Sequence, residues 1–278
     1  MSNIKISVVM GVYYKDNPEN LKEAIKSLIN QTVLPDEIIL VEDGILTKSL
    51  YDTINELKKI DILKIYSQKE NKGVASAINF GIKYAKNEYI ARMDADDVCR
   101  KDRFEKQIKY IMKHPEVDIL GGQICEYDFK MKKKIGFRKV PNSHEDIIKR
   151  YKYKSPINNM TAIIRKSVFN KLNGYNEEYR VMEDYEFYIR AIDNGFCFHN
   201  LDDVLVDVRT GKNMYLRRSG IEYIKTIVKI EKMLFNSKKI GKCTYIFNLS
   251  SRCIISILPN CIRKIFYIAF LREKEVEI

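Results

Sequence analysis

Hydrophobic and polar positions follow two periods along the first third of the chain, and each period predicts one kind of element. Continuous apolar runs predict buried strands at Ile4–Tyr13, Glu37–Val41, Leu63–Tyr66 and Tyr89–Met93. Apolar residues at helical spacing predict helices at Asn20–Gln31, Leu50–Ile60 and Val74–Ala85. Strands that alternate with helices are typical of an α/β fold with a mostly parallel central sheet flanked by helices.

Polar residues follow each of these predicted strands. Tyr13, Asp43, the loop 71–73 and Asp94 each come at or directly after a strand end. Because the carboxyl ends of the strands in an open α/β sheet line one crevice, we expect these residues to face one ligand.

The strongest local signal is an acidic break after the fourth strand, at Asp94, Asp96 and Asp97. Oxygen ligands at a strand end suit Mg²⁺ or Mn²⁺ that bridges a diphosphate. The alternative is an acidic turn that caps the helix predicted near Arg103, because Asp is a common N-cap residue. The short motif by itself favours neither interpretation.

Glycine-rich phosphate loops are absent from the sequence. The first strand ends in Met10-Gly11-Val12-Tyr13 rather than G-x-G-x-x-G, and no G-x-x-x-x-G-K-[ST] occurs. Neither a dinucleotide-binding fold nor a P-loop fits. A bound phosphate must then be neutralised by a cation and by basic side chains.

The composition is that of a globular protein with few of the Cys and His residues that bind zinc. The 278 residues are 45% hydrophobic, which is enough for a sizeable core. The six cysteines form no C-x-x-C pair, and there are only three histidines. With no signal peptide at the N-terminus, these features predict reduced thiols and a cytoplasmic location.

The last quarter of the chain is strongly basic. From Arg209 to Ile278 there are 15 Lys and Arg and 5 Asp and Glu. This segment therefore carries most of the net charge of the whole chain, which is +12. Apolar residues recur near helical spacing from Ile254 to Leu271. We therefore predict a domain at 1–208 and an amphipathic helical extension at 209–278, which lies on an anionic membrane surface without crossing it and binds no nucleic acid. The alternative is a pair of helices packed on the main domain with basic outer faces.

Four ordered blocks carry a family resemblance over about residues 7–190. They are SVVMGVYYKDNPENLKEAIKSLINQT, DEIILVEDG, NKGVASAINFGIKYAKNEYIARMDADD and VMEDYEFYIRA. The sequence resembles a family 2 glycosyltransferase of the GT-A fold, of the bacterial group that builds capsule, O-antigen and exopolysaccharide. The resemblance implies an inverting, metal-dependent transfer from a nucleotide sugar, usually a UDP-sugar, to a saccharide acceptor. With the basic tail, it predicts a peripheral enzyme at the inner face of the cell membrane that uses a lipid-linked oligosaccharide.

The resemblance also assigns roles to residues of the nucleotide-sugar and metal sites. It assigns the nucleotide sugar to Gly11, Tyr13, Asp43, Asn71, Lys72, Asn79 and Asp94. Asp43 matches the acid that contacts the uracil or ribose. Asp96 matches the direct ligand of Mn²⁺ or Mg²⁺, with Asp94 on the ribose or metal and Asp97 supporting the loop. Three simpler interpretations stay open: Gly11 and Tyr13 as an ordinary strand end, Asp43 as a turn residue, and Asn79 as a helix residue that bonds a neighbouring loop.

The predicted catalytic base is Asp184, with Glu183 as the fallback, at the start of a helix predicted at Tyr185–Asn194. An inverting transfer needs a carboxylate that removes the proton of the acceptor hydroxyl. Both acids also fit simple helix capping. Arg217 and Arg218, and in the same way Arg209, are expected to close over the diphosphate or to face lipid headgroups.

The sequence departs from the pattern of processive family members, and this departure narrows the predicted activity. The chain has no Trp and so lacks the Q-x-x-R-W block of processive synthases, which implies transfer of one sugar or a short unit. Residues 121–156, with the lysine run 130–134, are predicted to hold acceptor-side loops. Two alternatives stay open, a sugar-nucleotide nucleotidyltransferase and an inactive membrane-associated binding subunit. The sequence lacks the glycine-rich basic loop expected of a nucleotidyltransferase. The presence of Asp96 and Asp184 disfavours an inactive binding subunit.

Overall fold

The protein is described by a computed structural model that covers residues 4–210, 219–259 and 262–263. The strands are β1 Ile6–Val12, β2 Glu37–Asp43, β3 Leu63–Gln68, β4 Tyr89–Arg92, β5 Val98–Cys99, β6 Ile119–Asp128, β7 Lys134–Arg138, β8 Ile163–Arg165 and β9 Phe198–Thr210. The helices are α1 Pro18–Ile29, α2 Lys48–Leu57, α3 Val74–Tyr84, α4 Arg103–Lys113, α5 His144–Arg150, α6 Lys166–Leu172, α7 Glu183–Asp193, α8 Ile221–Asn236 and α9 Lys242–Ile257. A single 3₁₀ turn is described, at Asn159–Thr161.

The first half of the sheet is parallel, as predicted, with β1 between β2 and β4 and with β3 at the edge. All seven predicted elements of this half are present, and their ends lie within three residues of the prediction. Helix α1 starts earlier than its apolar spacing suggested because the Asn17 side chain accepts the N–H groups of Glu19 and Asn20, while Pro18 fits the first turn.

The second half of the sheet is mixed. β8 is antiparallel to β4 and β6, whereas β9 runs parallel to β6. The expectation of acceptor-side loops at residues 121–156 is therefore wrong for most of that segment, which contains β6, β7 and α5. Gly121 and Gly122 obscured the strand. A larger residue does not fit at either position. A Cβ atom on Gly121 would lie 2.3 Å from Asn200 Oδ1, and one on Gly122 would lie 2.5 Å from Leu205 Cδ1.

Helices cover both faces of the sheet. One apolar cluster joins α1, α2 and α4 to one face, and a second joins α3, α6 and α7 to the other. The resulting three-layer arrangement leaves the carboxyl ends of β1, β2, β3 and β4 at one edge.

The helices of the extension pack on the main domain. α8 buries Ile230 and Leu234 in a third cluster with Tyr185 and Ile189 of α7. For the part of the tail that is described, the packing agrees with the packed-pair alternative, whereas the outer face of α9 exposes Phe247 and Ile254 rather than basic residues. Most of the stretch 254–271 lies outside the described residues, and the helix seen there, α9, begins twelve residues before Ile254. Within the described ranges, every helix is too short or too polar to cross a membrane.

Candidate active site

The acidic break forms a loop that directly follows β4. Asp94 and Asp96 are half-exposed, whereas Asp97 is buried and its Oδ1 accepts the backbone N–H of Arg209 (2.9 Å). Burial, followed by the charges of Asp96 and Asp94, raises the pKa of Asp97. The capping alternative is wrong for this loop, because the N-cap of α4 is Asp102. Two carboxylates are thus left facing outward at the sheet edge.

Arg209 holds this loop rather than closing over a ligand. Its Nε donates to the Asp96 carbonyl oxygen (2.8 Å), Nη1 donates to the Phe129 carbonyl oxygen (3.0 Å), and Nη2 pairs with Glu23. Only 5% of its side chain is exposed. The expected role of Arg209 over the diphosphate is therefore wrong. Arg217 and Arg218 lie outside the described residues, so their expected role stays a prediction.

A buried arginine lies under the acidic loop, and sequence reasoning missed it. Arg92 is 1% exposed, donates from Nη1 to the Val9 carbonyl oxygen (2.6 Å), and lies 3.4 Å from Asp94 Oδ1 through Nη2. Its charge also acts on Glu183 and Asp184, where it lowers the pKa of both. The signal in the sequence was an arginine inside an otherwise apolar strand, which is costly to bury without partners.

The predicted base lies at the start of α7. Asp184 is half-buried, and its Oδ1 accepts the N–H of Tyr185 (2.8 Å). Burial is the main cause that raises its pKa, and the charge of Asp94 raises it further, whereas Arg138 and Arg92 lower it. The charges of Asp94 and Arg92 therefore act on Asp184, which relates the loop after β4 to the start of α7.

The two neighbouring acids do not ionise together. The pKa of Glu183 is raised to about 8, first by burial and then by the negative charge of Asp184. The repulsion between the two acids opposes their joint ionisation and favours a protonated Glu183 at neutral pH. The role of Asp184 as the base stays a prediction.

On the nucleotide side, Asp43 organises the loop between β3 and α3. Its Oδ1 and Oδ2 accept the backbone N–H groups of Lys72 (2.8 Å) and Gly73 (2.9 Å), and Asn71 Nδ2 donates to its carbonyl oxygen (3.1 Å). Asp43 is buried, as expected for a group that fixes a loop. Its contact with the base or ribose stays a prediction.

Asn79 serves the fold rather than the nucleotide. Its Oδ1 accepts the N–H of Tyr175 (2.8 Å), while Nδ2 donates to the Tyr175 carbonyl oxygen (2.8 Å) and to Glu177 (3.1 Å). The simpler interpretation, a helix residue that bonds a neighbouring loop, is the one observed. Its predicted place in the nucleotide site is wrong.

Gly11 and Tyr13 lie at the end of β1, and Lys72 lies in the loop between β3 and α3. Gly11 is the residue before the last of β1, and the Tyr13 N–H donates to Asp16 (2.9 Å). Lys72 is exposed and borders a depression of about 580 Å³ between β3 and α3, which Asp94, Asp96 and Asp184 do not line. The three positions are compatible with a nucleotide at the sheet edge, and their contacts stay predictions.

No ready-made metal cage occurs among the described residues, where no three His, Cys, Asp or Glu side chains converge as ligands. Magnesium in nucleotide sites is usually held by one or two carboxylates and the substrate phosphates. The half-exposed Asp94 and Asp96 supply such a donor set, whereas the Asp97 carboxylate is buried against the Arg209 N–H.

Comparison with known proteins defines the class. The fold resembles that of S. aureus TarS in complex with UDP-GlcNAc, with a TM-score of 0.65 and 20% identity over 90% of this chain and 71% of that one. The fold is GT-A, and the protein is a glycosyltransferase. Residues 7–172 match the model of glycosyl transferase family 2, and this chain belongs to that family.

Two bacterial relatives cover nearly the whole chain. The UDP-Gal:alpha-D-GlcNAc-diphosphoundecaprenol beta-1,3-galactosyltransferase of Escherichia coli is 32% identical, with 97% of both chains covered. The amylovoran biosynthesis glycosyltransferase AmsE of Erwinia amylovora is 33% identical, with 94% of this chain and 97% of that one covered. The predicted resemblance to the bacterial polysaccharide type is thereby confirmed.

Proposed function

We propose that this protein is an inverting glycosyltransferase that moves a sugar from a UDP-sugar to a hydroxyl group of a lipid-linked saccharide in cell-surface polysaccharide synthesis. The observation that carries the proposal is that the charges of Asp94 and Arg92, from the loop after β4 and the end of β4, act on the Asp184 carboxyl group at the start of α7. The E. coli relative is named for a UDP-Gal donor and a diphosphoundecaprenol-linked acceptor, which supports both substrate classes.

In the proposed mechanism, Asp184 accepts the proton of the acceptor hydroxyl while the hydroxyl oxygen forms a bond to C1 of the donor sugar. The bond from C1 to the diphosphate oxygen breaks on the opposite face, and UDP leaves with the electron pair. A pKa raised by burial makes Asp184 a stronger base than a solvated aspartate. The protonated Glu183 beside it adds no second negative charge near the departing diphosphate.

We further propose that Asp94 and Asp96 hold Mn²⁺ or Mg²⁺ together with the donor diphosphate. When bound, the cation neutralises the negative charge that develops on the leaving group. Arg209 keeps the carbonyl of Asp96 in place, and Arg92 lies beneath Asp94, so this chain supplies an oriented pair of oxygen ligands.

The site of action in this proposal is the inner face of the cell membrane, where the protein is cytoplasmic and peripheral. The excess of basic residues after Arg209 supports contact with an anionic surface. An undecaprenol-linked acceptor of the kind named for the E. coli relative lies in a bilayer.

A panel of UDP-sugars tests the proposal, each incubated with Mn²⁺ and a GlcNAc-diphospho-lipid in detergent. We expect acceptor-dependent UDP release with one donor, and an α-linked donor to give a β-linked product by NMR. An α-linked product would contradict the inverting mechanism. Release of pyrophosphate from a nucleoside triphosphate and a sugar phosphate would instead indicate a nucleotidyltransferase.

A further inference from the structure

Helix α9 is amphipathic in the opposite sense to a helix on the surface of a water-soluble domain. Its two buried residues, Asn248 and Ser256, are polar, and Tyr245 packs against the third cluster, whereas its outer face is mostly apolar. A surface helix usually turns its apolar stripe to the core and its polar face to water. The reversal is unfavourable in water, so it calls for a partner on the outer side.

The inner face is held by polar contacts to the main domain. Arg252 lies 3.1 Å from Glu231 of α8, which is fully buried, and its guanidinium donates to the Tyr153 carbonyl oxygen and to the Tyr185 hydroxyl (3.4 Å). One turn earlier, Asn248 Nδ2 donates to the Lys152 carbonyl oxygen (2.9 Å) and to Glu231 (3.1 Å). These bonds fix which side of α9 faces outward.

The outer face exposes large apolar side chains along the helix. Ile246 is 53% exposed, Phe247 66%, Ile254 60% and Ile257 72%, with the smaller Cys243 and Ser250 between them. Separations of three, four, seven and eleven residues place all six on one side of a helix. Exposed apolar residues that form a continuous stripe mark a contact surface, whereas scattered ones do not.

We infer that this outer face of α9 lies in the interface of an anionic lipid bilayer, with Phe247 and its apolar neighbours below the headgroups. The inference rests on the proposed function, since a lipid-linked acceptor lies in a membrane. It also moves the predicted membrane contact, which the sequence placed at residues 254–271, forward to begin near residue 243.

Charge around the stripe selects the bilayer over a second copy of the chain. Lys238 and Lys242 are exposed at the start of the helix, and a depression of about 570 Å³ beside them is lined by Lys238, Lys239 and Phe235. Ammonium groups beside an apolar stripe suit anionic headgroups. A second copy of the same face would offer these lysines no opposite charge from α9, because α9 contains no Asp or Glu, which disfavours that contact.

Tryptophan fluorescence tests the inference directly, because the natural chain contains no Trp. The full-length Phe247→Trp variant places one indole on the outer face. Met112→Trp is the matched control, since Met112 is 48% exposed on helix α4, which packs on the other face of the sheet. With vesicles of phosphatidylglycerol and phosphatidylcholine, we expect a blue shift and quenching by brominated lipid for Phe247→Trp and no change for Met112→Trp.

Three results would overturn the inference. The first is an emission of Phe247→Trp that vesicles leave unchanged. The second is an emission that is already blue-shifted in buffer and depends on protein concentration, which would assign the face to a second copy. The third is a blue shift in buffer at every concentration, which would assign it to residues 264–278 of the same chain.

A second pair of variants measures the contribution of the stripe. Replacing Phe247 and Ile254 together by Ser should lower affinity for the anionic vesicles at least about tenfold, whereas Leu34→Ser with Met112→Ser should leave it unchanged. UDP release from the donor panel in detergent is measured on the same proteins. Vesicle insertion without sugar transfer would reject the proposed function and support the membrane contact of α9. Sugar transfer without vesicle insertion would support the proposed function and reject the membrane contact.

Discussion

At the scale of single residues, burial and charge separate the protonation states of two adjacent acids at the start of α7. Asp184→Asn should abolish transfer, with a fall in kcat of at least about 10³-fold, because an amide cannot accept the proton. Affinity for UDP, measured by calorimetry, should not change.

Glu183→Gln is the matched variant for that experiment. Because Glu183 is protonated at neutral pH, a neutral amide of the same shape should keep kcat within about threefold. If Glu183→Gln is inactive and Asp184→Asn turns over normally, the fallback assignment of Glu183 as the base is the right one.

The raised pKa of Glu183 predicts how stability depends on pH. A carboxyl group with a folded pKa of about 8 and an ordinary unfolded pKa of 4.5 stabilises the fold fully below pH 4.5. That contribution declines as pH rises and is lost by about pH 8. The melting temperature of the wild type should therefore fall relative to that of Glu183→Gln between pH 5 and pH 8. Parallel melting curves for the two proteins would contradict the assignment.

Arg92 should set the acidic limit of the reaction. Arg92→Met removes the buried cation that lowers the pKa of Asp184, so the acidic limb of kcat should move to higher pH. We expect a fall of at least about tenfold in kcat at pH 7, and Arg92→Lys should restore part of it. A uniform loss at all pH values would indicate a structural role only.

At the scale of elements, we expect metal-dependent binding of UDP to require the loop after β4. Asp96→Ala should lower the affinity for UDP in Mn²⁺ at least about tenfold and leave the affinity without metal unchanged. Asp102→Ala removes an acid in the next turn, where Asp102 pairs with Lys106, and is the control. Equal Mn²⁺ stimulation in both variants would reject the metal site.

Local patterning predicted the parallel half of the sheet because its strands and helices have clear periods. It did not predict β6, because Gly121 and Gly122 imitate a turn and are required by contacts far along the chain, of which the tightest are with β9. Prediction of the site from local sequence has the same limit. Asp94 and Asp184 were found by motif, whereas the engagement of Asn79 with Tyr175 and the placement of Arg92 depend on distant contacts.

At the scale of the whole molecule, the extension is part of the packed structure. Arg252→Met should leave Glu231 buried without its opposite charge and with only the Asn248 hydrogen bond, and the loss of one partner of a buried ion pair costs about 3 to 5 kcal/mol. We expect a lower melting temperature and a lower kcat in detergent, because Arg252 also bonds Tyr185 beside Asp184. Vesicle binding at a temperature where the variant is folded should be retained.

The Arg252 contact also bears on how genetic defects in this protein are interpreted. The hydroxyl of Tyr185 meets a helix that follows it by nearly sixty residues, and the base is the residue before Tyr185. A substitution in the tail can therefore abolish polysaccharide synthesis while the protein stays at its normal place in the cell. Such alleles would be misassigned as targeting defects unless localisation and turnover are scored separately.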